Sequence, residues 1–295
     1  MEFGISFTYN FVVSIFFALL TLIGWGTGDI FVTLASRRLG NVKAYFWGFF
    51  IALIIASLYI PFAGPIVDYK MFALAILLNG MHTLGNLSYF RALEVGNASV
   101  VGSITGGHPL ITVLIALFIL HEPVRGAQLM AIAVILAGIL LTSINLKPSS
   151  GSKGILSDPG VKFALITIIL WGIRFAFIKI PSETIGWFWS GFPLYLWIFP
   201  LLATKGMRSG GIKKVFERKT LLFITIYALL GTILGDFAYN AAVARGFTSV
   251  VAPIAGTAPV LFVILTRFIF KEKLSGQQKL GIAFSLLGIA LISFL

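Results

Sequence analysis

Long apolar stretches follow one another along this chain of 295 residues, and they limit the folds that it can adopt. A helix needs about 20 mainly apolar residues to cross the hydrocarbon core of a bilayer. Hydrophobic residues make up 58% of the chain and charged residues only 11%, against roughly 25% charged residues in soluble domains. The pattern predicts an all-α polytopic membrane protein and excludes a soluble enzyme, a disordered chain and a collagen-like fibre.

Ten of these stretches are predicted to be transmembrane helices. Their bounds are 11–36, 43–63, 70–92, 97–120, 125–146, 161–180, 184–204, 220–244, 247–270 and 276–295. Most connections are short, so neighbouring helices are expected to run antiparallel. The chain contains no Cys, which excludes disulfides and thiolate metal sites.

The two halves of the chain repeat each other. A shift of 150 positions gives identical residues at 22 of the 55 positions from 89 to 143, including Gly, Pro, Glu and Gln at constant spacing. A shift of 146 aligns Trp25-Gly26 with Trp171-Gly172. We therefore predict a first five-helix repeat at 1–146, a linker at 147–160 whose Pro, Ser and Gly residues are typical of loops, and a second repeat at 161–295.

An odd number of helices in each half determines how the halves are related. After five crossings the chain emerges on the opposite side of the membrane, so the second repeat is predicted to be inverted relative to the first. Inverted repeats are the architecture of many secondary transporters, in which the substrate site lies near the membrane midplane between the repeats. The alternative is a structural duplication without a role in transport.

The basic residues are distributed unevenly between two sets of loops. The chain carries 22 Lys and Arg against 10 Asp and Glu, a formal net charge of +12. The loops after even-numbered helices hold four basic residues, Arg174 lies within a helix, and the other 17 follow odd-numbered helices. Because basic loops remain cytoplasmic, we expect the odd-numbered loops in the cytoplasm and both termini outside. The charge thus indicates topology and contact with anionic lipids rather than nucleic-acid binding.

Several motifs occur twice at the repeat spacing. They are Trp25-Gly26 and Trp171-Gly172, the stretch 89–101 and its copy 239–251, Pro109 and Pro259, and His121-Glu122-Pro123 and Lys271-Glu272-Lys273. With these motifs the chain resembles the drug/metabolite transporter superfamily, specifically its ten-helix EamA-type members, over nearly its whole length. The resemblance implies export or uptake of small metabolites, such as amino acids, sugars or sugar phosphates, through a central cavity. Many members are thought to have both termini in the cytoplasm, whereas the charge count places them outside here, and we follow the charge count.

Ionisable residues are predicted to lie within the membrane, where a charge costs about 2.5–3.5 kcal/mol and indicates function. Two of them are expected on opposed helices. They are Asp29 in the first helix and Arg174 in the sixth. The 146 shift aligns Asp29 with Phe175, so Asp29 and Arg174 are expected at comparable depth. They would pair across the cavity, or Arg174 would hold a substrate anion. The alternatives are a structural ion pair or side chains that extend to the membrane surface.

Polar side chains also recur at helical spacing on the third and eighth helices, which predicts two polar walls at similar depth. Asp29 or Asp236 would bind a proton or cation, and His82 would titrate near neutral pH. The alternative is polar contacts between helices. Trp25 and Trp171 are expected to line the cavity. The predicted substrate or ion site comprises Trp25, Asp29, His82, Asn86, Tyr89, Trp171, Arg174, Asp236, Tyr239 and Asn240.

No phosphate-binding loop, zinc-protease motif or serine nucleophile motif is present in the sequence. We therefore expect a secondary transporter rather than an enzyme, one that moves a small polar or amphipathic metabolite, such as an amino acid, across the inner membrane. Alternating access, driven by protons or another ion or by exchange, would take place in a monomer without cofactor or metal. The alternatives are a membrane-embedded enzyme that uses Asp29, His82 or Asp236 as acid–base groups, and a non-transporting scaffold subunit.

Overall fold

The computed structural model describes residues 2–95, 101, 104–143, 159–208, 212–269, 271 and 274–295, and within these residues it contains helices and no strands. The predicted all-α fold is confirmed. The main helices are α1 (Glu2–Leu39), α2 (Asn41–Ser57), α3 (Tyr69–Val95), α4 (His108–Phe118), α5 (Gly126–Ser143), α6 (Val161–Phe177), α7 (Lys179–Gly191), α8 (Arg218–Val243), α9 (Thr248–Ile269) and α10 (Gly276–Ser293). Each corresponds to one predicted span, although α7 begins at Lys179 and so includes the last two residues of the predicted sixth span. Residues 144–158, most of the predicted linker, lie outside the described residues.

The helices differ in how well each alone fits a bilayer. Among the described helices, α1, α5, α8 and α9 are each long and apolar enough to cross a membrane, and α6 with α7 qualifies as a pair bent by 78°. The helices α2 and α4 are shorter, with 17 and 11 residues. Short helical turns at Pro193–Leu196 and Phe199–Ala203 continue α7.

Unusual backbone conformations recur at the spacing of the sequence repeat. Gly40, before α2, and Gly186, inside α7, lie 146 positions apart with φ of 82° and 79°. His121 and Lys271 follow α4 and α9, lie 150 positions apart, and have φ of 51° and 57°. Residues with side chains rarely adopt such positive φ values. The repeat is therefore present in the backbone, and Gly186 is the turn that the sequence places near residue 184.

The fourth and ninth helices are interrupted at equivalent points. Gly107 forms a turn directly before α4, and α9 divides into Thr248–Ala255 and Ala258–Ile269. Pro109 and Pro259, which occur at the repeat spacing, each lie in the first turn of the segment that follows the break. Proline is tolerated there because the amide hydrogen that it lacks would have no helical partner.

The first helix of each half packs against the other half. α1 crosses α8 where Gly24 and Gly28 meet Gly235 and Gly231 with no space for a side chain. α6 packs in the equivalent way against α3. Small residues let membrane helices approach closely.

The second contact of each first helix follows the same symmetry. Gly26 of α1 faces Leu261 of α9, and Gly172 of α6 faces Ile111 of α4. These two contacts lie at equivalent places in the two repeats. Together the crossings enclose a region between the halves that is bordered by α1, α3, α4, α6, α8 and α9.

Candidate functional site

An aromatic cluster occupies the region between the two halves. The ring of Phe175 lies 5.2 Å from that of Trp25, 4.9 Å from Tyr239, 5.6 Å from His82 and 5.3 Å from His108, measured between ring centres. These five rings come from α1, α3, α4, α6 and α8, so Phe175 joins both repeats. Rings at these distances pack favourably. In this conformation they fill the position of the predicted central cavity.

Trp25 and Asp236 form a direct link between α1 and α8. The indole Nε1 of Trp25 donates a hydrogen bond of 3.0 Å to Asp236 Oδ1, and its ring stacks on Tyr239 with centres 5.5 Å apart. Gly235 leaves the space that the indole occupies. Asp236 ends a π-helical segment, Ala228–Asp236. Such wide turns are rare and occur frequently at functional sites.

The other half contains the equivalent contact with different bonding. The indole of Trp171 lies against Gly85, next to Asn86, as that of Trp25 lies against Gly235, next to Asp236. The buried Nε1 of Trp171, however, has no hydrogen-bond partner among the described residues. Asn86 instead donates a bond of 2.8 Å to the hydroxyl of Tyr45 on α2. Of the two equivalent tryptophans, Trp25 is therefore hydrogen-bonded to the neighbouring α8 residue, and Trp171 is not bonded to Asn86.

Arg174 is fully buried, with 0% of its surface exposed. Its Nη2 donates to Asn79 Oδ1 at 3.3 Å, and the guanidinium lies over the rings of Phe175 and Tyr239, at 4.7 and 5.9 Å from their centres. The predicted pair of Asp29 and Arg174 is not formed, because Asn79 is the only side chain in the described residues to which Arg174 donates. Asp29 is half-buried on α1, one turn beyond Trp25.

The remaining predicted residues divide into two groups. His82 is buried with its Nδ1 unpartnered, and its ring stacks 6.2 Å from that of Trp171, which also contacts Tyr89 at 5.6 Å. His82 and Tyr89 therefore belong to the cluster through their contacts with Trp171. Asn240 points away from it, because its Nδ2 donates to the backbone oxygen of Trp187 on α7 at 3.5 Å.

Sequence reasoning missed Phe175, Asn79 and Tyr45. Asn79 precedes His82 by three residues, so extending the polar pattern of α3 by one turn would have found it. Tyr45 and Phe175 carry no such signal, because aromatic residues are common in apolar helices.

A separate pocket of about 210 Å³ lies at the edge of the protein near the end of α8. Lys179, Glu183, Arg245 and Phe247 contribute to its wall, and none of the predicted site residues does. Lys179 is already engaged there, because its ammonium group contacts Glu183 at 2.7 Å and the backbone oxygens of Val243 and Gly246. The central cluster therefore remains the candidate site.

Comparison with known proteins identifies the family. One family model, the EamA-like transporter family, matches residues 12–144 and 158–294. The chain belongs to the EamA-like transporter family. As a member it is a multi-pass membrane transporter with two copies of one repeat, in agreement with the resemblance seen in the sequence motifs.

Individual relatives agree with this assignment. An uncharacterized transporter of Archaeoglobus fulgidus is 26% identical over 95% of this chain and 98% of its own length. An uncharacterized protein of Methanocaldococcus jannaschii is 28% identical over 135 residues, which cover 45% of this chain and 97% of that protein. A solved crystal structure superposes on this EamA-like transporter with a TM-score of 0.76 over 94% of this chain and 95% of that one, at 16% identity. This last similarity shows the same fold.

Proposed function

We propose that this EamA-like transporter is a secondary transporter that moves a small polar or amphipathic metabolite, an amino acid or a similar compound, by alternating access through the central cluster. The transport is driven by an ion gradient or by exchange and involves no catalytic step. The membrane is the inner membrane, with both termini outside. Family membership supports transport itself, while the cluster supports the position of the path.

One observation carries the alternating-access part of the proposal. Trp25 and Trp171 pack in the same way on Gly235 and Gly85, yet only the Trp25 indole is hydrogen-bonded. In an inverted-repeat transporter the two access states differ by movement of one repeat against the other around a fixed site. Exchanging the conformations of the repeats would then break the bond of Trp25 with Asp236 and bring Trp171 to Asn86.

Transport by the purified protein in liposomes tests the proposal. Labelled amino acids, sugars and sugar phosphates are offered separately under proton and sodium gradients and under exchange conditions, and the recovered compound is analysed for chemical change. We expect saturable flux of at least one unchanged compound. Absence of flux across the whole panel would contradict the proposed function, and a chemically altered product would favour an enzyme.

Asp236→Asn is expected to lower the flux by about tenfold or more, because it removes a buried charge at the site while keeping an oxygen that accepts from Trp25. The measurement is initial uptake rate, with thermal melting as a check on folding. Asp68→Asn is the matched control, since Asp68 caps α3 by accepting from the backbone amides of Lys70 and Met71, and Asn caps equally well. Equal flux in both variants would show that Asp236 is not part of the transport site.

The orientation can be tested in a chain that has no natural cysteine. Lys70 lies in the first turn of α3, directly after an even-numbered loop, and Lys214 lies in an odd-numbered loop; both positions are exposed. With both termini outside, a membrane-impermeant maleimide is expected to label Lys70→Cys in intact cells and Lys214→Cys only after permeabilisation. The opposite labelling would place both termini in the cytoplasm.

A further inference from the structure

Unpartnered hydrogen-bond donors are concentrated on one face of α6. Within the described part of the chain, Nε and Nη1 of Arg174 are buried without a partner, and so is Nε1 of Trp171, three residues earlier. Residues three apart are neighbours on a helix surface. Buried donors normally have partners, and leaving them without one is costly. This face of α6 therefore offers several donors to a molecule that brings acceptors.

Arg174 also has no direct ion-pair partner among the described residues. No carboxylate of the described residues lies within 4.0 Å of its guanidinium, although Asp236 on α8 is close enough to interact with it electrostatically. Within the described residues, the ion pairs are Arg38 with Glu217 and Lys179 with Glu183, away from the cluster. A buried cation without a paired anion is unfavourable. An anion bound at Arg174 would remove this cost.

The guanidinium is held in a defined orientation. Asn79, which accepts from Nη2, is itself fixed because its Nδ2 donates to the backbone oxygens of Ala75 and Ser190, both at 2.8 Å. The rings of Phe175 and Tyr239 lie against the guanidinium. Asn79 uses one of the five N–H groups of arginine. The others remain available for two-pronged binding of a planar oxyanion.

We propose that Arg174 binds an oxyanion of the transported molecule, a carboxylate or a phosphate-type group, with Trp171 as a further donor and the surrounding rings in contact with its apolar part. This inference rests on the proposed function, because it assigns the charged group of the substrate within the same cluster. Asn79 is a positioning residue that holds the guanidinium toward this group.

Four small molecules, each with a phenyl ring and a different polar group, test the charge of the bound group. They are benzoate, phenyl phosphate, benzylamine and benzyl alcohol. Binding to the purified full-length protein is measured by calorimetry and by tryptophan fluorescence, since Trp25 and Trp171 lie in the cluster. We expect at least one anion to bind, and the amine and the alcohol to bind about tenfold more weakly or not at all. Benzoate and phenyl phosphate together distinguish a carboxylate from a phosphate-type site.

Variants of Arg174 connect the binding to this residue. Arg174→Gln is expected to lower the affinity for the bound anion by about 30-fold or more. Arg174→Lys keeps the charge and is expected to melt near the wild-type temperature, with affinity about tenfold lower because an ammonium lacks the two-pronged geometry. Arg245→Gln is the control, since it removes one positive charge from an exposed position at the end of α8.

Several outcomes would overturn the inference. They are equal binding of benzylamine and benzoate, no saturable binding of either anion to the folded wild-type protein, or wild-type anion affinity in both Arg174 variants. Anion binding that depends on Arg174 without any flux in liposomes would contradict the proposed function and retain the oxyanion site. Flux that is unaffected by Arg174→Gln would retain transport and contradict the oxyanion site.

Discussion

Gly28→Ala is expected to lower the free energy of unfolding by about 3 kcal/mol, because overpacking at this helix crossing has no side chain that can move aside. A Cβ at position 28 would lie 2.6 Å from Gly231 Cα and 2.8 Å from Gly231 N. Both are backbone atoms, so α1 and α8 must separate to admit the methyl group. The separation would also pull Trp25 away from Asp236, one turn along each helix. Unfolding in mixed micelles measures the change.

Gly126→Ala is the matched control for this substitution. A Cβ at Gly126, the first residue of α5, would meet no atom within 4 Å. The variant is expected to have stability within about 1 kcal/mol of the wild type, since alanine is the better helix former. If Gly28→Ala were as stable as Gly126→Ala, the crossing of α1 and α8 would be looser than the structure indicates.

Glu122→Gln is expected to lower the free energy of unfolding by about 3 kcal/mol, because charge-assisted hydrogen bonds to a buried carboxylate are among the strong ones. Glu122 Oε1 accepts from the backbone amide of Thr248, and Oε2 accepts from the amide and hydroxyl of Ser249, at 2.7–2.8 Å. These amides begin α9, where a negative charge is favourable. A glutamine has one acceptor oxygen and presents its amide hydrogens to the second donor. Thermal melting and micelle unfolding report the loss.

The control for Glu122 is the same substitution at an exposed position. Glu217 contacts Arg38 at 2.9 Å with 52% of its side chain exposed. Exposed ion pairs contribute about 0–1 kcal/mol, so Glu217→Gln is expected to change stability by less than about 1 kcal/mol. Indistinguishable losses in the two variants would mean that the carboxylate of Glu122 does not hold α9.

The repeat was predictable because glycine, proline and tryptophan keep their spacing in both halves. Trp25-Gly26 and Trp171-Gly172 align at 146, and the structure packs each tryptophan on an equivalent glycine. Pro109 and Pro259 keep the same spacing, and each follows a break in its helix at an equivalent point. Residues whose identity is required by backbone geometry or close packing therefore occur at equivalent positions of both repeats, where an alignment of the two halves detects them.

The partner of Arg174 was not predictable from depth alone. Asp29 aligns with Phe175, and one residue on a helix rotates the side chain by about 100°, so equal depth does not give a common direction. Arg174 aligns with Gly28, which faces α8. By the same symmetry Arg174 faces α3, where it donates to Asn79. The alignment of Arg174 with Gly28 is visible in the sequence, but it predicts the direction of Arg174 only when the contact between α1 and α8 is known.

The spacing between equivalent residues changes along the two repeats, which indicates where the copies diverged after duplication. The offset is 146 at Gly40 and Gly186 and 150 at Gly85 and Gly235, so the second copy has four more residues between these positions. That interval includes the basic residues Lys213 and Lys214 before α8, which are exposed. In the interior, the equivalent residues kept their spacing and changed in charge, with Asn86 opposite Asp236 and Gly28 opposite Arg174. Since their duplication, the copies have diverged in length between these glycines and in charge at equivalent buried positions.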